Sequence, residues 1–114
     1  MHEVSIAEGL LATAVNECKK SGYGRIEKVS IKIGKASGVM PEALLFAFDA
    51  MKSDTIAGAA VLDIEEVPLA GTCLTCKKDF ETEESYLLCC PHCDSSSFKI
   101  ISGRELDITE LEVF

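Results

Sequence analysis

Four cysteines in two closely spaced pairs are the residues of this sequence best suited to chemistry. Each pair has the spacing Cys-x2-Cys, and residues 77–89 separate the pairs. A tight turn of this spacing lets both thiolates point at one cation while backbone N–H groups face the sulfurs, so two turns complete a tetrahedron. Zinc is the usual occupant of such a site, and iron is the minority alternative. The predicted zinc ligands are Cys73, Cys76, Cys90 and Cys93.

The second pair contains two further candidate ligands. Cys89 directly precedes Cys90, so the sequence offers two registers for this turn. We assign Cys90, because it restores Cys-x2-Cys and Pro91 then fixes the turn after the first ligand. Cys89 is expected to be a packed thiol, and His92 is expected to stay off a metal that already has four thiolates. A redox or substitute-ligand role for Cys89 and a sensor or secondary-ligand role for His92 are the alternatives.

The amino terminus offers a second kind of metal site. An α-amine, the amide nitrogens after it and an imidazole at position 2 can close chelate rings around a square-planar dication, which suits Ni(II) or Cu(II). By residue type alone, however, His2 is more often a solvated terminal residue than a ligand. The residues therefore leave both interpretations of His2 open.

Charge and motif content argue against several classes of function. The net charge is −8, and four thiolates around one dication would make it more negative, whereas nucleic-acid binding needs a basic surface. No run of about eighteen apolar residues could span a membrane, and the start lacks the pattern of a secretory signal. The sequence has neither a phosphate-binding glycine loop nor a nucleophile elbow. We expect a cytoplasmic protein that is not an enzyme and binds neither nucleic acid nor membranes.

Hydrophobic periodicity predicts the elements that position these residues. Ser5-x-x-Glu8 is a capping box, which predicts a helix from Ser5 with an apolar stripe that ends before Gly22. Pro41 suits the first turn of a second helix, for which Leu45 is among the predicted apolar-face residues. Apolar residues alternate with polar ones at 28–33, 61–67 and 106–113, and these segments are predicted strands.

The order helix, strand, helix, strand, metal module, strand predicts an α+β fold. We expect a small three-stranded sheet with two helices on one face, plus an inserted zinc-ribbon-like module with four cysteine ligands. The predicted domains are residues 1–69 with 101–114, an α/β domain, and residues 70–100, the zinc-binding module. This module has few large apolar residues, so the cation should supply most of its folding free energy, on the order of 10 kcal/mol.

The start Met1-His2-Glu3-x-Ser5, the capped helix and the late Cys-x2-Cys…Cys-Pro-x-Cys together resemble the HypA/HybF family of nickel-insertion accessory proteins. The resemblance covers essentially the whole chain, including segments 26–29, 45–48 and 60–64. It implies a metallochaperone that receives Ni(II) and, with the GTPase HypB, delivers it to the [NiFe]-hydrogenase large-subunit precursor during maturation. It further implies nickel ligands at Met1, His2 and the backbone of Glu3, with nickel as cargo and zinc as a structural ion at the four cysteines.

Two alternatives of other classes stay open. A rubredoxin-like electron carrier, with iron held by four cysteines, uses the same cysteine spacing. Such proteins usually carry glycine after the second cysteine of each pair, whereas Lys77 and Asp94 stand there in this chain. A plain zinc-ribbon interaction module would bind zinc but no nickel. The sequence also leaves open the oligomeric state, with a homodimer among the options, and the identity of any further nickel ligand.

Overall fold

The computed structural model describes residues 2–114, apart from the side chain of His2. Within that range the elements are α1 (His2–Lys20), β1 (Ile26–Gly34), α2 (Pro41–Met51), β2 (Val61–Val67), β3 (Leu69–Cys73), β4 (Asp79–Thr82), β5 (Phe98–Ser102) and β6 (Leu106–Val113). The strands form two three-stranded sheets, ordered β2-β1-β6 and β4-β3-β5. The predicted α+β class is confirmed, with two helices and a cysteine-bearing insertion. Across residues 2–114, the helices are too short or too polar to cross a membrane.

The chain divides into two compact units. The first comprises Met1–Lys32, Val39–Glu65 and Asp107–Phe114, and the second comprises Ile33–Gly38 and Glu66–Leu106. The predicted functional boundaries, residues 1–69 with 101–114 against 70–100, stay a proposal.

The core of the first unit comes from the apolar stripes of α1 and α2, which pack against each other, and from β1. The stripe of α1 is buried as the helical spacing predicts, at Ala7, Leu10, Leu11, Ala14 and Cys18. On α2 the buried residues are Leu44, Ala47 and Phe48. Leu45, predicted to be buried, is 37% exposed, because it lies about 100° around the helix from Leu44.

Helix α1 begins at His2, so the predicted start at Ser5 is wrong. Glu3 places a negative charge in the first turn, where the helix dipole favours it. The Glu3 carboxylate also accepts a hydrogen bond from the backbone N–H of Met40 at 3.0 Å. This tertiary contact holds the first turn in place, and Ser5 consequently lies inside the helix with its side chain exposed.

The first sheet has β1 at its centre. Arg25 and Phe114 exchange both backbone hydrogen bonds, at 3.1 and 2.8 Å, which is the pairing of antiparallel neighbours. On the solvent side, Lys28 Nζ lies 3.7 Å from a carboxylate oxygen of Asp63 and 3.7 Å from one of Glu112. One lysine thus links three neighbouring strands, which partly neutralises the acidic edge strands.

The second sheet carries the cysteine-bearing turns, and its three strands were not among the predicted elements. Its central strand β3 pairs antiparallel with β4 and with β5. A Cβ at Gly71 would lie 2.3 Å from the Lys99 carbonyl oxygen and 2.8 Å from Phe80 Cζ, so only glycine allows this close pairing. Phe80 and Phe98 meet edge to face, with their centroids 5.8 Å apart. They form a small apolar core for the unit.

Candidate metal centre

The second unit brings the four predicted cysteine ligands together. Cys73 ends β3, and all four Sγ atoms lie within 4.8 Å of one another. The Sγ atoms of Cys73 and Cys93 are 3.6 Å apart, and those of Cys76 and Cys90 are 3.8 Å apart. A tetrahedron with metal–sulfur bonds of about 2.3 Å has edges of about 3.8 Å. The spacing therefore fits a tetrahedral metal ion such as zinc.

Backbone N–H groups in both turns point at the sulfur atoms. The Thr75 and Cys76 amides donate to Cys73 Sγ at 3.3 and 3.4 Å, and the His92 amide donates to Cys90 Sγ at 3.3 Å. Such hydrogen bonds stabilise a thiolate relative to a thiol. Both turns thus prepare their first cysteine to act as an anionic ligand.

The residue after each pair adopts a left-handed backbone conformation. Lys77 has φ of 64° and Asp94 has φ of 62°, and their amides close the turns onto the carbonyls of Cys73 and Cys90 at 3.1 and 2.9 Å. This conformation costs a residue with a Cβ roughly 1–2 kcal/mol. Both residues adopt this conformation despite its cost. The rest of each turn therefore stabilises a backbone conformation that the residue alone disfavours.

The protonation equilibria of the cluster favour a bound cation. The Cys76 amide lowers the pKa of Cys73 to about 6 despite burial, with the Thr75 amide acting in the same direction. At Cys93 the Ser95 amide also favours the thiolate, but desolvation and hydrogen bonds with neighbouring thiols raise the pKa to about 12. The opposite pKa shifts of Cys73 and Cys93 mean that these two thiols do not both ionise near neutral pH. A dication would offset the repulsion between adjacent thiolates.

Neither of the other two candidate ligands belongs to this cluster. Cys89 is half-buried, and its Sγ lies 4.0 Å from Asp94 Oδ1. His92 Nε2 lies 3.3 Å from the carbonyl oxygen of Asp79, to which its N–H can donate. The geometry thus favours the register that uses Cys90.

The predicted nickel ligands lie partly outside the described residues. Met1 and the side chain of His2 are outside the described residues, while the His2 backbone and all of Glu3 are within the helix. Glu3 is 8% exposed. The Met40 amide, together with the Glu3 amide, lowers the pKa of the Glu3 carboxyl to about 2. The carboxylate is therefore ionised at neutral pH and already bound to backbone.

An apolar surface adjoins Glu3, and the sequence analysis did not identify it. A cavity of about 460 Å³ there is lined by Val4, Phe46 and Met51, among others. Val4 is 55% exposed and Phe46 is 78% exposed. The sequence does contain an indication of this surface. Residues 45–48 read Leu-Phe-Ala-Phe, and a helix cannot turn four consecutive apolar residues toward the same side, so part of this run must be exposed.

Comparison with known proteins places this chain among nickel-handling proteins. A family model described as hydrogenase/urease nickel incorporation, metallochaperone, hypA matches residues 1–113. The hydrogenase maturation factor HypA of Geobacter metallireducens is 41% identical over 114 residues, with 99% of each chain covered. HypA 2 of Bradyrhizobium diazoefficiens is 36% identical over 113 residues, again with 99% of each covered.

Solved structures agree with the sequence comparisons. The solution structure of the Ni metallochaperone HypA from Helicobacter pylori is similar to this chain with a TM-score of 0.69 at 26% identity, and the match covers 97% of this chain and 96% of that one. A second solution structure of a HypA protein gives a TM-score of 0.72 at 27% identity, covering 100% and 97%. The similarity thus extends over the whole fold.

Proposed function

Because this chain belongs to the HypA family of nickel-incorporation metallochaperones, we propose that it binds Ni(II) at its amino terminus and helps to deliver the ion to the [NiFe]-hydrogenase large-subunit precursor. The observation that carries this proposal is the family match over residues 1–113. The chain acts as a cytoplasmic metal carrier rather than an enzyme, and a HypB-type GTPase is its partner in delivery.

Nickel binds through the α-amine of Met1, the imidazole and backbone nitrogen of His2, and the backbone nitrogen of Glu3. The amides of a helix's first turn point toward its amino-terminal end, which supports backbone nitrogens as ligands. The Glu3 carboxylate is occupied by the Met40 amide at 3.0 Å. Glu3 therefore contributes its backbone and anchors the first turn with its side chain.

Zinc is the structural ion, held by Cys73, Cys76, Cys90 and Cys93. The sulfur spacing fits its tetrahedral geometry, and four thiolates fill its coordination sphere. Such a site has no vacant position for cargo. The transferable nickel therefore needs a separate site, which is what the amino terminus provides.

Direct transfer requires the receiving protein to approach the amino terminus, because ligands of donor and acceptor must exchange around one ion. We propose that the large-subunit precursor docks on the apolar surface formed by Val4, Phe46 and Met51. Glu3, which belongs to the proposed nickel site, lines the same cavity. Burying Phe46, now 78% exposed, would contribute about 1.5–3 kcal/mol to docking.

Nickel delivery to the precursor tests the proposed function. We expect radioactive nickel to move from the zinc-loaded protein to the precursor, in the presence of the GTPase and GTP, even when a chelator traps free nickel. Phe46→Ser should slow this transfer roughly tenfold or more, because about 1.4 kcal/mol of docking energy is a tenfold effect. Leu88→Ser is the matched control, since Leu88 is also 78% exposed but lies in the other unit. Transfer that the chelator stops completely would contradict direct delivery.

A further inference from the structure

The unit that carries the cysteine cluster contains a cavity. This cavity of about 230 Å³ is lined by apolar and polar side chains. The apolar ones include Leu69, Phe98 and Ile100, and the polar ones are Ser85, Tyr86 and Arg104. Neither the cysteine cluster nor the amino terminus uses these six residues.

Arg104 is the residue that determines the kind of ligand this cavity can bind. Among the described residues, no carboxylate forms an ion pair with its guanidinium. The other arginine, Arg25, pairs with Glu27 at 3.3 Å and lies over the Phe114 ring. In a chain with a net charge of −8, a cation that no acidic group has paired is available for an anionic ligand.

We propose that this cavity binds an apolar residue that carries a free α-carboxylate. A guanidinium matches a carboxylate with two parallel hydrogen bonds, and the hydroxyls of Ser85 and Tyr86 are further donors. The apolar part of the lining, Leu69, Phe98 and Ile100, fits a hydrophobic side chain, which inorganic phosphate lacks. Because pockets for larger ligands have about 300–1,000 Å³, this cavity holds a single residue.

An ion pair lies beside the loop that carries Ser85 and Tyr86. Lys35 Nζ lies 2.6 Å from Glu83 Oε1, and this contact ties the segment before Ser85 to the turn after β1. Ala36 in that turn lines the same cavity. The two walls are thus joined by a contact that does not itself occupy the binding space.

Titration of the zinc-loaded protein with N-acetyl-leucine, followed by amide NMR shifts, tests the proposal. We expect saturable shifts at residues 85–87 and 104. N-acetyl-leucinamide, which lacks the negative charge, should bind at least roughly tenfold more weakly, because a charge-assisted hydrogen bond contributes about 1.5–3 kcal/mol. Arg104→Gln should weaken binding of the acid by a similar factor, whereas the matched control Arg25→Gln should not change it.

Three results would overturn this site: equal binding of acid and amide, unchanged binding in Arg104→Gln, or displacement of N-acetyl-leucine by equimolar inorganic phosphate. A longer peptide ending in leucine distinguishes the natural sources. If it binds as well as N-acetyl-leucine, the ligand is a polypeptide carboxyl terminus, and if the cavity excludes it, the ligand is a free small carboxylate. Both source outcomes support the site. Neither depends on nickel, so failure here leaves the proposed function untouched.

Discussion

Replacement of His2 by alanine is expected to abolish stoichiometric nickel binding while zinc content and fold stay unchanged. The imidazole closes a chelate ring that the alanine side chain cannot close. Loss of a residue that only supports a metal ligand costs about 10–100-fold in affinity, so loss of the ligand itself should cost roughly 100-fold or more. Equilibrium nickel titration of the untagged variant measures the loss, with elemental analysis for zinc as the check on the fold.

Glu3→Gln is the matched control for this variant. Glutamine keeps an oxygen that can accept from the Met40 amide, and it leaves the backbone nitrogen unchanged, so nickel binding should persist. If Glu3→Gln loses nickel as completely as His2→Ala, the carboxylate is a ligand and the backbone assignment is wrong. Tight nickel binding that is retained in His2→Ala would instead rule out the amino-terminal nickel site.

The same titration should show weaker binding at lower pH. Nickel binding displaces protons from the amine, with an ordinary pKa of about 7.7–8.0, from the imidazole at about 6.5, and from the amides. Affinity therefore falls as pH drops from about 8 to 6. Glu3 does not contribute to this dependence, because its pKa is lowered to about 2. Its stabilising effect is present above the ordinary value of 4.5 and is lost only as pH falls toward 2.

Cys90→Ser is expected to unfold the second unit while the first unit stays folded. Two of the buried residues of the second unit, Cys73 and Cys90, are themselves proposed ligands, and its aromatic core is essentially Phe80 and Phe98. Structural zinc contributes on the order of 10 kcal/mol, which matches the entire stability of a typical domain at about 5–15 kcal/mol. Amide NMR should therefore lose the dispersed signals of residues 66–106 and keep those of α1 and α2.

Cys89→Ser isolates the register of the second turn. The two cysteines are adjacent, but Cys89 lies outside the sulfur cluster, so this variant should keep one zinc per chain and a folded second unit. A variant series with the reverse outcome, in which Cys89→Ser loses zinc and Cys90→Ser keeps it, would move the ligand assignment by one residue.

Local patterns in the sequence were sufficient for the features that depend on neighbours along the chain. The Cys-x2-Cys spacing placed Cys73, Cys76, Cys90 and Cys93 in one cluster, and the helical period identified the buried stripe of α1. Pro41 marked the first residue of α2. The helical signals and the helices share the same short range. The two cysteine pairs are farther apart, with 20 residues from Cys73 to Cys93, but each pair supplies only two of the four ligands that a tetrahedral ion needs, so their meeting was predictable.

Features that depend on distant contacts were missed. The capping box at Ser5 was overridden because Glu3 bonds to Met40, a partner far along the chain. Strands β3, β4 and β5 are short, and their pairing relies on Gly71, which carries no hydrophobic pattern. The cavity at Arg104 likewise combines residues from several separate segments, so no local sequence motif indicates it.

The amino-terminal nickel site is the central claim, and the free α-amine is its most specific requirement. The most direct measurement is nickel titration of the untagged, zinc-loaded protein against the same chain acetylated at its α-amine. Acetylation converts the α-amine to an amide, adds no new amine and leaves His2 in place. We predict one tightly bound nickel per unmodified chain and none in the acetylated chain. Equal, stoichiometric binding in both would contradict the account.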